Sequence, residues 1–404
     1  MIQEIVREII NEVLPDEAVR KALRGKEFTR PLFLIGIGKA AWEMSATAVE
    51  ELGKRIAGGI VVTKYHHSKG EIANLEIIES GHPVPDENSV RAARRILELV
   101  GGLTEETEII LLISGGGSAL VELPAEGLAL EDFQKITEEL LHSGADITKI
   151  NLIRKKLSDI KGGRLAQELS PHHVYSVILS DVVGNHPEMI ASGMTYPDTS
   201  SAEDARQVLR ENNISMNEAV QKCLMRRPVR ELPHVENEIT GSVEQLCIAA
   251  KHCVAARGYQ PYILDTALDG EAREVGKWMV DQALNGNYER PCALIAGGET
   301  IVRVKGNGLG GRNQEIALSA AIELAGREGM LLFSLGSDGT DGPTDAAGGV
   351  VDGNTVGRMR AAGVDPQAYL DNNDAYHALE KADALLLTGP TGTNVNDVTV
   401  LLMK

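Results

Sequence analysis

The sequence predicts an α/β protein with two domains. Its 404 residues exceed what one hydrophobic core of ordinary size organises. Along the chain, apolar runs of strand length alternate with segments whose apolar residues recur at helical spacing. The runs are nearly continuous in Ile, Leu and Val, which is typical of parallel strands covered by helices on both faces. Both halves of the chain show this pattern, so each half is predicted to contain a sheet covered by helices.

The first half opens on an amphipathic helix and then places strands before helices. Apolar residues from Ile2 to Val13 fall on one helical face, unlike the unbroken apolar stretch of a signal peptide. The elements that follow are PLFLIGIG, a helix from about Ala40, GGIVVT, LEIIES, a helix over Ser89–Val100, EIILLIS, a helix over Glu131–His142 and VYSVILSD. This order predicts a parallel sheet.

A break in the pattern between about Cys223 and Gly241 separates the two halves. The segment LMRRPVRELPHVENEITG has two prolines, mixed charges and no clean period, as inter-domain connections do. We place the boundary near Pro233, which gives domains 1–233 and 234–404. The second domain is predicted to contain a helix over Ser242–Ala255, PYILDT, a helix over Glu271–Leu284, CALIAG, TIVRVK, MLLFSLG and ALLLTG. Because TIVRVK alternates apolar and basic residues, it favours an antiparallel strand in a mixed sheet.

Composition and charge argue against several classes of function. The net charge of −18, without a long Lys/Arg tract, is unlike that of nucleic-acid-binding proteins. No apolar run reaches the length that spans a membrane. The four cysteines show neither CxxC pairs nor the His spacing of zinc sites. We therefore expect a soluble, cytoplasmic protein with no nucleic-acid or membrane partner, and the sequence leaves open whether it forms a homodimer.

Glycine-rich loops after the apolar runs predict that the protein binds an anion. Backbone N–H groups converge in such loops, and a following helix adds the positive end of its dipole. In GIGKA, Lys39 follows two glycines and can meet a phosphate, although a surface lysine beside packing glycines would look the same. The loop SGGGS places glycines between hydroxyl groups, and its alternative is a flexible turn with a capping serine. Its residues are Ser114, Gly115, Gly116, Gly117 and Ser118.

Two further cationic segments are candidates for the same site. Lys161 and Arg164 flank a glycine pair in the most basic stretch, Lys149–Ala166, and are predicted to face a ligand, whereas a solvated helix face is the usual explanation. Arg312 follows a glycine pair and leads into an apolar helix, which suits bidentate capture of a carboxylate or phosphate, with a plain salt bridge as the alternative. The loop AGGET adds Gly297, Gly298 and Glu299 as candidate ligand-binding residues.

Three aspartates are candidate metal ligands. Asp181 lies in SDVVGN, and Asp338 and Asp341 lie in GSDGTDGPTDAAGG. Carboxylates at strand ends can hold Mg²⁺ through one or two direct contacts and water. The alternative is structural, because aspartate in a turn often bonds its own backbone.

Taken together, the motifs resemble one enzyme family along the chain from about Pro31 to its end. They are, in order, GIGKAAWEMS, SGHPVPDENS, LLISGGGSALVELP, INLIRKKLSDIKGGRLA, ILSDVVGNHPEMIASGMTYPD, AGGETIVRVKGNGLGGRNQE, SLGSDGTDGPTDAAGG and GPTGTNVNDVTVLL. The sequence resembles the glycerate 2-kinases that carry a C-terminal MOFRL domain. The resemblance implies phosphorylation of D-glycerate by ATP with Mg²⁺ or another divalent cation, usually on the 2-hydroxyl, giving 2-phosphoglycerate.

The resemblance also implies a fold and roles for particular residues. It implies a Rossmann-like N-terminal domain with a parallel sheet and a MOFRL-type C-terminal domain with a mixed sheet, both α/β/α, with the active site in the cleft between them. The family's functional lysine and arginine fall on Lys39 and Arg312. We expect these two to bind the transferring phosphoryl group and the glycerate carboxylate, in an order left open. The loop Ser114–Ser118 is expected to hold one of these anions, and Asp181 to bind metal or polarise the attacking hydroxyl.

Two other functions remain open at this stage. A phosphosugar isomerase or another small-carboxylate enzyme could use the same Ser/Gly loops without ATP or Mg²⁺. A non-catalytic nucleotide or metabolite sensor would need no cation beside a reacting group.

Overall fold

The chain forms two compact units. The computed structural model describes residues 2–180 and 187–404. The contiguous unit is Ala18–Thr240, and the split unit joins Met1–Glu17 to Gly241–Lys404.

The bounds of these units differ from the predicted division at residue 233. The first sheet takes up a further strand over Val235–Gly241, so the chain divides at 240–241. The N-terminal helix α1 (Ile2–Asn11) belongs to the split unit because its buried face, which includes Ile5 and Ile9, packs against the helix over Val243–Ala255. An amphipathic helix joins whichever core covers its apolar face, and sequence spacing does not identify that core.

The contiguous unit is built on a six-stranded sheet. Its strands are β1 (Leu32–Ile37), β2 (Ile56–Lys64), β3 (Leu75–Ser80), β4 (Glu108–Ile113), β5 (Val174–Leu179) and β6 (Val235–Gly241). The strand order is β3-β2-β1-β4-β5-β6, and the pairings among β1 to β5 are parallel. This is the order of Rossmann-like sheets, which confirms the predicted fold class.

Helices of the contiguous unit cover the sheet and add a separate helical layer. They are α2 (Pro15–Leu23), which begins in the split unit, α3 (Ala41–Leu52), α4 (Glu87–Gly101), α5 (Gly117–Leu120), α6 (Leu130–His142), α7 (Ile147–Leu157), α8 (Arg164–Glu168), α9 (Ala202–Glu211) and α10 (Glu218–Leu224). A 3₁₀ segment spans Pro187–Ser192. The predicted helices over Ser89–Val100 and Glu131–His142 are confirmed within two residues. Helices α6, α7, α9 and α10 share one apolar cluster that includes Phe133 and Ile153, which fixes α7 in place.

The split unit is built on a mixed sheet. Its strands are β7 (Gln260–Leu268), β8 (Cys292–Gly298), β9 (Met330–Gly336), β10 (Gly348–Asp352), β11 (Leu385–Leu386) and β12 (Asp397–Met403), in the order β11-β10-β9-β12-β8-β7. The pairing of β7 with β8 is parallel and the other pairings are antiparallel. The predicted mixed sheet is confirmed.

The antiparallel strand of this sheet is not the predicted one. TIVRVK forms no strand, and only Ile301 makes an isolated bridge, to Glu271. The antiparallel position between β8 and β9 is filled by β12, which is wholly buried. Burial explains the difference, because Val304 of TIVRVK stays 76% exposed whereas every residue of β12 is covered.

The remaining helices of the split unit are α11 (Val243–Ala255), α12 (Ala272–Asn285), α13 (Arg312–Leu324), α14 (Thr355–Ala361), α15 (Pro366–Asp371) and α16 (Ala375–Lys381). The helices predicted over Ser242–Ala255 and Glu271–Leu284 are confirmed within one residue. Within the described part of the chain, no helix has both the length and the apolar character needed to cross a membrane.

Candidate functional site

Two loops at the carboxyl edge of the first sheet interlock around Lys39. They follow the neighbouring parallel strands β1 and β4. The backbone N–H of Lys39 donates to the carbonyl of Gly115 over 2.9 Å, and the N–H of Ala40 donates to Oγ of Ser114 over 3.1 Å. Gly38 has φ of +135°, and a Cβ there would lie 2.1 Å from Oγ of Ser114. Only glycine therefore allows the two loops to approach this closely.

The side chain of Lys39 lies beside Gly116 and His82. Gly116 has φ of +86°, and a Cβ on it would lie 3.1 Å from Cγ of Lys39 and 3.0 Å from Cδ2 of His82. Lys39 is half-buried, and no carboxylate of the described residues forms an ion pair with it. Its ammonium group is therefore available to an anion from outside the chain, at the sheet edge where α/β folds bind ligands.

His82 is a residue of this site that the sequence reasoning did not select. Burial lowers the pKa of His82, and the charges of Lys39, Lys64 and His67 lower it further. The imidazole is thus neutral at pH 7 and able to accept a proton. The sequence did carry a signal, because His82 lies in SGHPVPDENS directly after the strand LEIIES.

Ser118 links the β4 loop to helix α7. The hydroxyl groups of Ser118 and Ser192 are hydrogen-bonded, and Ser192 also donates to Oδ1 of Asn151 over 3.0 Å. Asn151 is buried on α7. The loop Ser114–Ser118 therefore sits between Lys39 on one side and α7 on the other.

The structure corrects the predicted role of Lys161. Its side chain is fully buried, with Nζ 2.7 Å from Oε2 of Glu122 and 3.3 Å from the carbonyl of Val121. Arg164, its predicted companion, donates to the carbonyl of Arg227 over 3.2 Å. A buried cation needs an internal partner, and Lys161 has one. Lys161 therefore does not present its charge to a ligand.

Arg312 is the central cation of the split unit's candidate site. It is the first residue of α13, and its side chain is about one-third exposed. Its Nη2 donates to Oδ1 of Asp397 over 3.1 Å, its Nε donates to Oδ2 of the same carboxylate, and its Nη1 donates to Oε1 of Glu299 over 3.1 Å. Burial acts to lower the pKa of Arg312, but the bond to Asp397 outweighs it and raises that pKa. The guanidinium is thus oriented by two carboxylates while part of it faces solvent.

Asp397 is a second residue that the sequence reasoning did not select. Its side chain is buried at the start of β12. Burial raises the pKa of Asp397, and the hydrogen bond from Arg312 lowers it. The sequence signal was an aspartate at the end of TGPTGTNVND, just before an apolar run. Its partner 85 positions away could not be read from spacing.

The three candidate metal ligands have different outcomes. Asp341 caps α13, because its carboxylate accepts the N–H groups of Asn313 and Gln314 over 3.1 and 2.8 Å. Asp338 is half-buried, and its Oδ1 accepts the N–H of Thr340 over 3.0 Å. Asp181 lies outside the described residues. Residues 2–180 and 187–404 contain no group of three or more His, Cys, Asp or Glu placed to hold a metal ion.

The residues of AGGET have different positions relative to Arg312. Gly297 and Gly298 lie inside β8, where a Cβ would come within 2.6 Å of Sγ of Cys247 and 2.1 Å of the Leu268 carbonyl oxygen. Their role in the structure is therefore close packing of the sheet. Glu299 is exposed and accepts hydrogen bonds from Arg312 and Asn396. Of the three, Glu299 is the one beside the candidate cation.

A cavity of about 640 Å³ in the contiguous unit lies away from these residues. It is lined by Arg24, Phe28 and Arg55, which are close to the starts of β1 and β2. That is the amino edge of the sheet, opposite the loops around Lys39. We place the candidate site at the carboxyl edge, where the glycine loops and Lys39 lie.

Comparison with known proteins matches the chain in both units. The description "Domain of unknown function (DUF4147)" covers residues 1–225, and the MOFRL family covers residues 292–397. The chain is 50% identical to the D-glycerate 2-kinase of Thermotoga maritima, over 99% of this chain and 97% of the relative. It is 40% identical to the glycerate 2-kinase of Pyrococcus horikoshii, over 99% and 96%. A crystal structure of a glycerate kinase from Thermotoga maritima matches with a TM-score of 0.95 at 50% identity, over 100% of this chain and 98% of that one.

Proposed function

Because this chain belongs to the glycerate 2-kinase family, we propose that it transfers the γ-phosphoryl group of ATP to the 2-hydroxyl group of D-glycerate. The products are 2-phosphoglycerate and ADP. The observation that carries the proposal is the half-buried Lys39, which has no carboxylate partner among the described residues and lies between two glycine loops at the carboxyl edge of a Rossmann-like sheet.

Phosphoryl transfer needs positioning and charge neutralisation more than covalent help. Lys39 supplies a positive charge to an incoming phosphate, and the loop Ser114–Ser118 supplies backbone N–H groups beside it. Arg312 supplies a second cation, and Asp397 and Glu299 fix its direction. That one reaction uses Lys39 and Arg312 together stays a prediction.

The attacking hydroxyl group must lose its proton as the new P–O bond forms and the bond to ADP breaks. His82 is a neutral imidazole beside Lys39, and it can accept that proton. Asp181, predicted for the same step, lies outside the described residues. Replacing His82 with Gln therefore tests one of two candidate acceptors.

We propose Mg²⁺ as the metal that accompanies ATP. Mg²⁺ is usually held by one or two carboxylates together with substrate phosphates and water, so a cluster of three acidic residues is not required. Asp338 fits such a ligand, because it is half-buried and its Oδ2 accepts no hydrogen bond from the described residues, whereas its Oδ1 accepts one from the N–H of Thr340. When bound, the metal would neutralise phosphate charge. Removal of the metal with EDTA is expected to abolish turnover, and excess Mg²⁺ is expected to restore it.

A coupled assay of ADP release tests the function directly. With ATP, Mg²⁺ and D-glycerate, the wild-type protein is expected to release ADP and to form a product that enolase consumes, since enolase acts on 2-phosphoglycerate. ADP release with an enolase-negative product would contradict phosphorylation at the 2-hydroxyl. No ADP release with any hydroxy acid would contradict a kinase and favour an isomerase or a sensor.

A further inference from the structure

Four cations lie on or just after the last turn of α7, and they differ in whether the chain supplies a partner. Nζ of Lys156 is 2.8 Å from Oδ2 of Asp198 and donates to the carbonyl of Ser200 over 2.9 Å. Lys161 is paired with Glu122, as described above. These two cations have their counter-charges inside the protein.

The other two cations, Arg154 and Lys155, form no ion pair with residues 2–180 or 187–404. Lys155 is only 8% exposed, and its ammonium group makes no hydrogen bond or ion pair with the described residues. Nε of Arg154 is buried and has no hydrogen-bond partner there. Burial lowers the pKa of both groups, and neighbouring carboxylates only partly offset it: Glu122 for Arg154, and Asp198 and Glu188 for Lys155.

A largely buried cation that forms no ion pair destabilises the folded state, and the nearby carboxylates offset this cost only in part. Two of these carboxylates are already in ion pairs, because Nζ of Lys161 lies 2.7 Å from Oε2 of Glu122 and Nζ of Lys156 lies 2.8 Å from Oδ2 of Asp198. An anion that binds from solution would supply the ion-pair partner that Arg154 and Lys155 lack among the described residues.

The position of the two cations connects them to the candidate site. Asn151, Arg154 and Lys155 are spaced i, i+3 and i+4 on α7, so they lie on one face of the helix. Side chains on a helix lean toward its N-terminus, and Asn151 lies one turn N-terminal to Arg154 and Lys155. Asn151 accepts a hydrogen bond from Ser192, and the hydroxyl group of Ser192 is hydrogen-bonded to that of Ser118 in the β4 loop.

We infer that Arg154 and Lys155 form a carboxylate subsite that holds the carboxylate group of D-glycerate next to the Ser114–Ser118 loop. A guanidinium group matches a carboxylate with two parallel hydrogen bonds, and a buried lysine adds a point charge. A largely buried lysine and a half-buried arginine suit one small anion better than a solvated triphosphate chain. This assignment rests on the proposed function, and it leaves Lys39 for the transferring phosphoryl group.

The kinetic test compares Arg154→Gln with the wild type. Losing charge-assisted hydrogen bonds is expected to raise the KM for D-glycerate by about 10- to 100-fold, with the KM for ATP within about 2-fold of the wild type. With D-glyceramide, which has no carboxylate, the variant and the wild type are expected to perform alike. Lys149→Gln is the matched control, because Lys149 lies on the same helix in an exposed pair with Glu211.

Other kinetic results overturn the assignment. A rise in the KM for ATP alone would place the nucleotide at this subsite. An equal loss of kcat with glycerate and glyceramide would show a structural role.

A stability test of the other cation does not depend on catalysis. Without substrates, Lys155→Met is expected to raise the Tm by about 2 °C or more, because it removes a largely buried charge that forms no ion pair within the described part of the chain. Lys156→Met is the contrasting variant and is expected to lower the Tm, because it leaves Asp198 buried and unpaired. A Tm lowered equally by both variants would show that Lys155 has an internal partner and would overturn the subsite.

Binding of D-glycerate alone separates failure of the subsite from failure of the proposed function. If the wild type does not phosphorylate D-glycerate, the proposed function fails while the subsite can still be tested. D-glycerate is then expected to raise the wild-type Tm and to leave that of Arg154→Gln unchanged. No shift in the wild type, or equal shifts in both proteins, would overturn the subsite.

Discussion

Both carboxylate oxygens of Asp397 accept hydrogen bonds from the guanidinium group of Arg312. Oδ1 accepts a hydrogen bond from Nη2 over 3.1 Å, and Oδ2 accepts one from Nε. These two bonds fix the plane of the guanidinium group from one side. The remaining group, Nη1, points to Glu299. A bidentate pair of this kind fixes the orientation of the guanidinium group in addition to binding it. Asp397 is therefore the positioning residue for Arg312.

Replacing Asp397 with Asn is expected to lower kcat by about 10-fold or more, because Arg312 loses its bidentate partner. The free energy of unfolding is expected to fall by about 1–2 kcal/mol, less than for a fully buried pair because Arg312 is partly exposed. Steady-state kinetics and urea unfolding measure the two effects. Glu299→Gln is the comparison, and it should cost less in both because Glu299 is about half exposed. Equal effects of the two variants would argue against a special role for Asp397.

Replacing Lys39 with Ala is expected to reduce kcat by about 100-fold or more, since it removes the cation placed for the phosphoryl group. The fold should be unaffected, because the Lys39 contacts that hold the loops come from its backbone. Lys54→Ala is the matched control, an exposed lysine before β2 at the other edge of the sheet. Turnover by Lys39→Ala within 3-fold of the control would count against this role.

Asp341 predicts a specific pH dependence of stability. Burial raises the pKa of Asp341 to about 7, above its ordinary value of 3.8, although it accepts two backbone N–H groups. Between pH 3.8 and about pH 7, Asp341 is protonated in the folded protein but ionised in the unfolded chain. This contribution to stability is therefore full below about pH 4 and is lost as the pH rises toward 7, at up to about 1.4 kcal/mol per pH unit.

The variant Asp341→Asn lacks this titration. Other carboxylates shift stability in both proteins alike, so the informative quantity is the difference in free energy of unfolding between wild type and variant. That difference is expected to favour the wild type more at pH 5 than at pH 8, as measured by urea unfolding. A difference that does not change with pH would rule out the raised pKa.

Lys161→Met is expected to lower the free energy of unfolding by about 3 kcal/mol or more, because Glu122 would be left buried without its partner. The double variant Lys161→Met with Glu122→Met is expected to recover most of that loss. Denaturant unfolding of the single and double variants measures the coupling. A stable single variant with a strongly raised KM for either substrate would instead restore Lys161 as a ligand-binding residue.

The sequence predicted the architecture well because strands and helices leave periodic patterns. The parallel first sheet followed from the order of apolar runs, and its Rossmann-like fold was implied by the family resemblance. The mixed second sheet was predicted from the alternation in TIVRVK, which is not the antiparallel strand of that sheet. Strand β12 shows where this reasoning fails. Its apolar run comes after the loop TGPTGTNVND, and nothing local indicates that it inserts between β8 and β9. TIVRVK had the clearer alternation and yet lies largely in a loop.

Within the site, residue type predicted chemistry better than it predicted burial. The glycine-rich loops after β1 and β4 approach each other closely around Lys39, as their residue types indicate. Lys161 and Lys155 come from the same basic stretch, but Lys161 forms an ion pair with Glu122 whereas Lys155 forms none with the described residues. His82 and Asp397 contact residues far along the chain, and only the tertiary structure brings them there.

The split unit also constrains the order in which the chain can fold as it is synthesised. Helix α1 leaves the ribosome before α11, against which its apolar face packs and which begins more than 200 residues later in the chain. All strands of the contiguous unit are synthesised before α11, so this unit can fold while the apolar face of α1 is still exposed. A nascent chain arrested before residue 241 should therefore expose Ile5 and Ile9 to chaperones, whereas the released chain buries them.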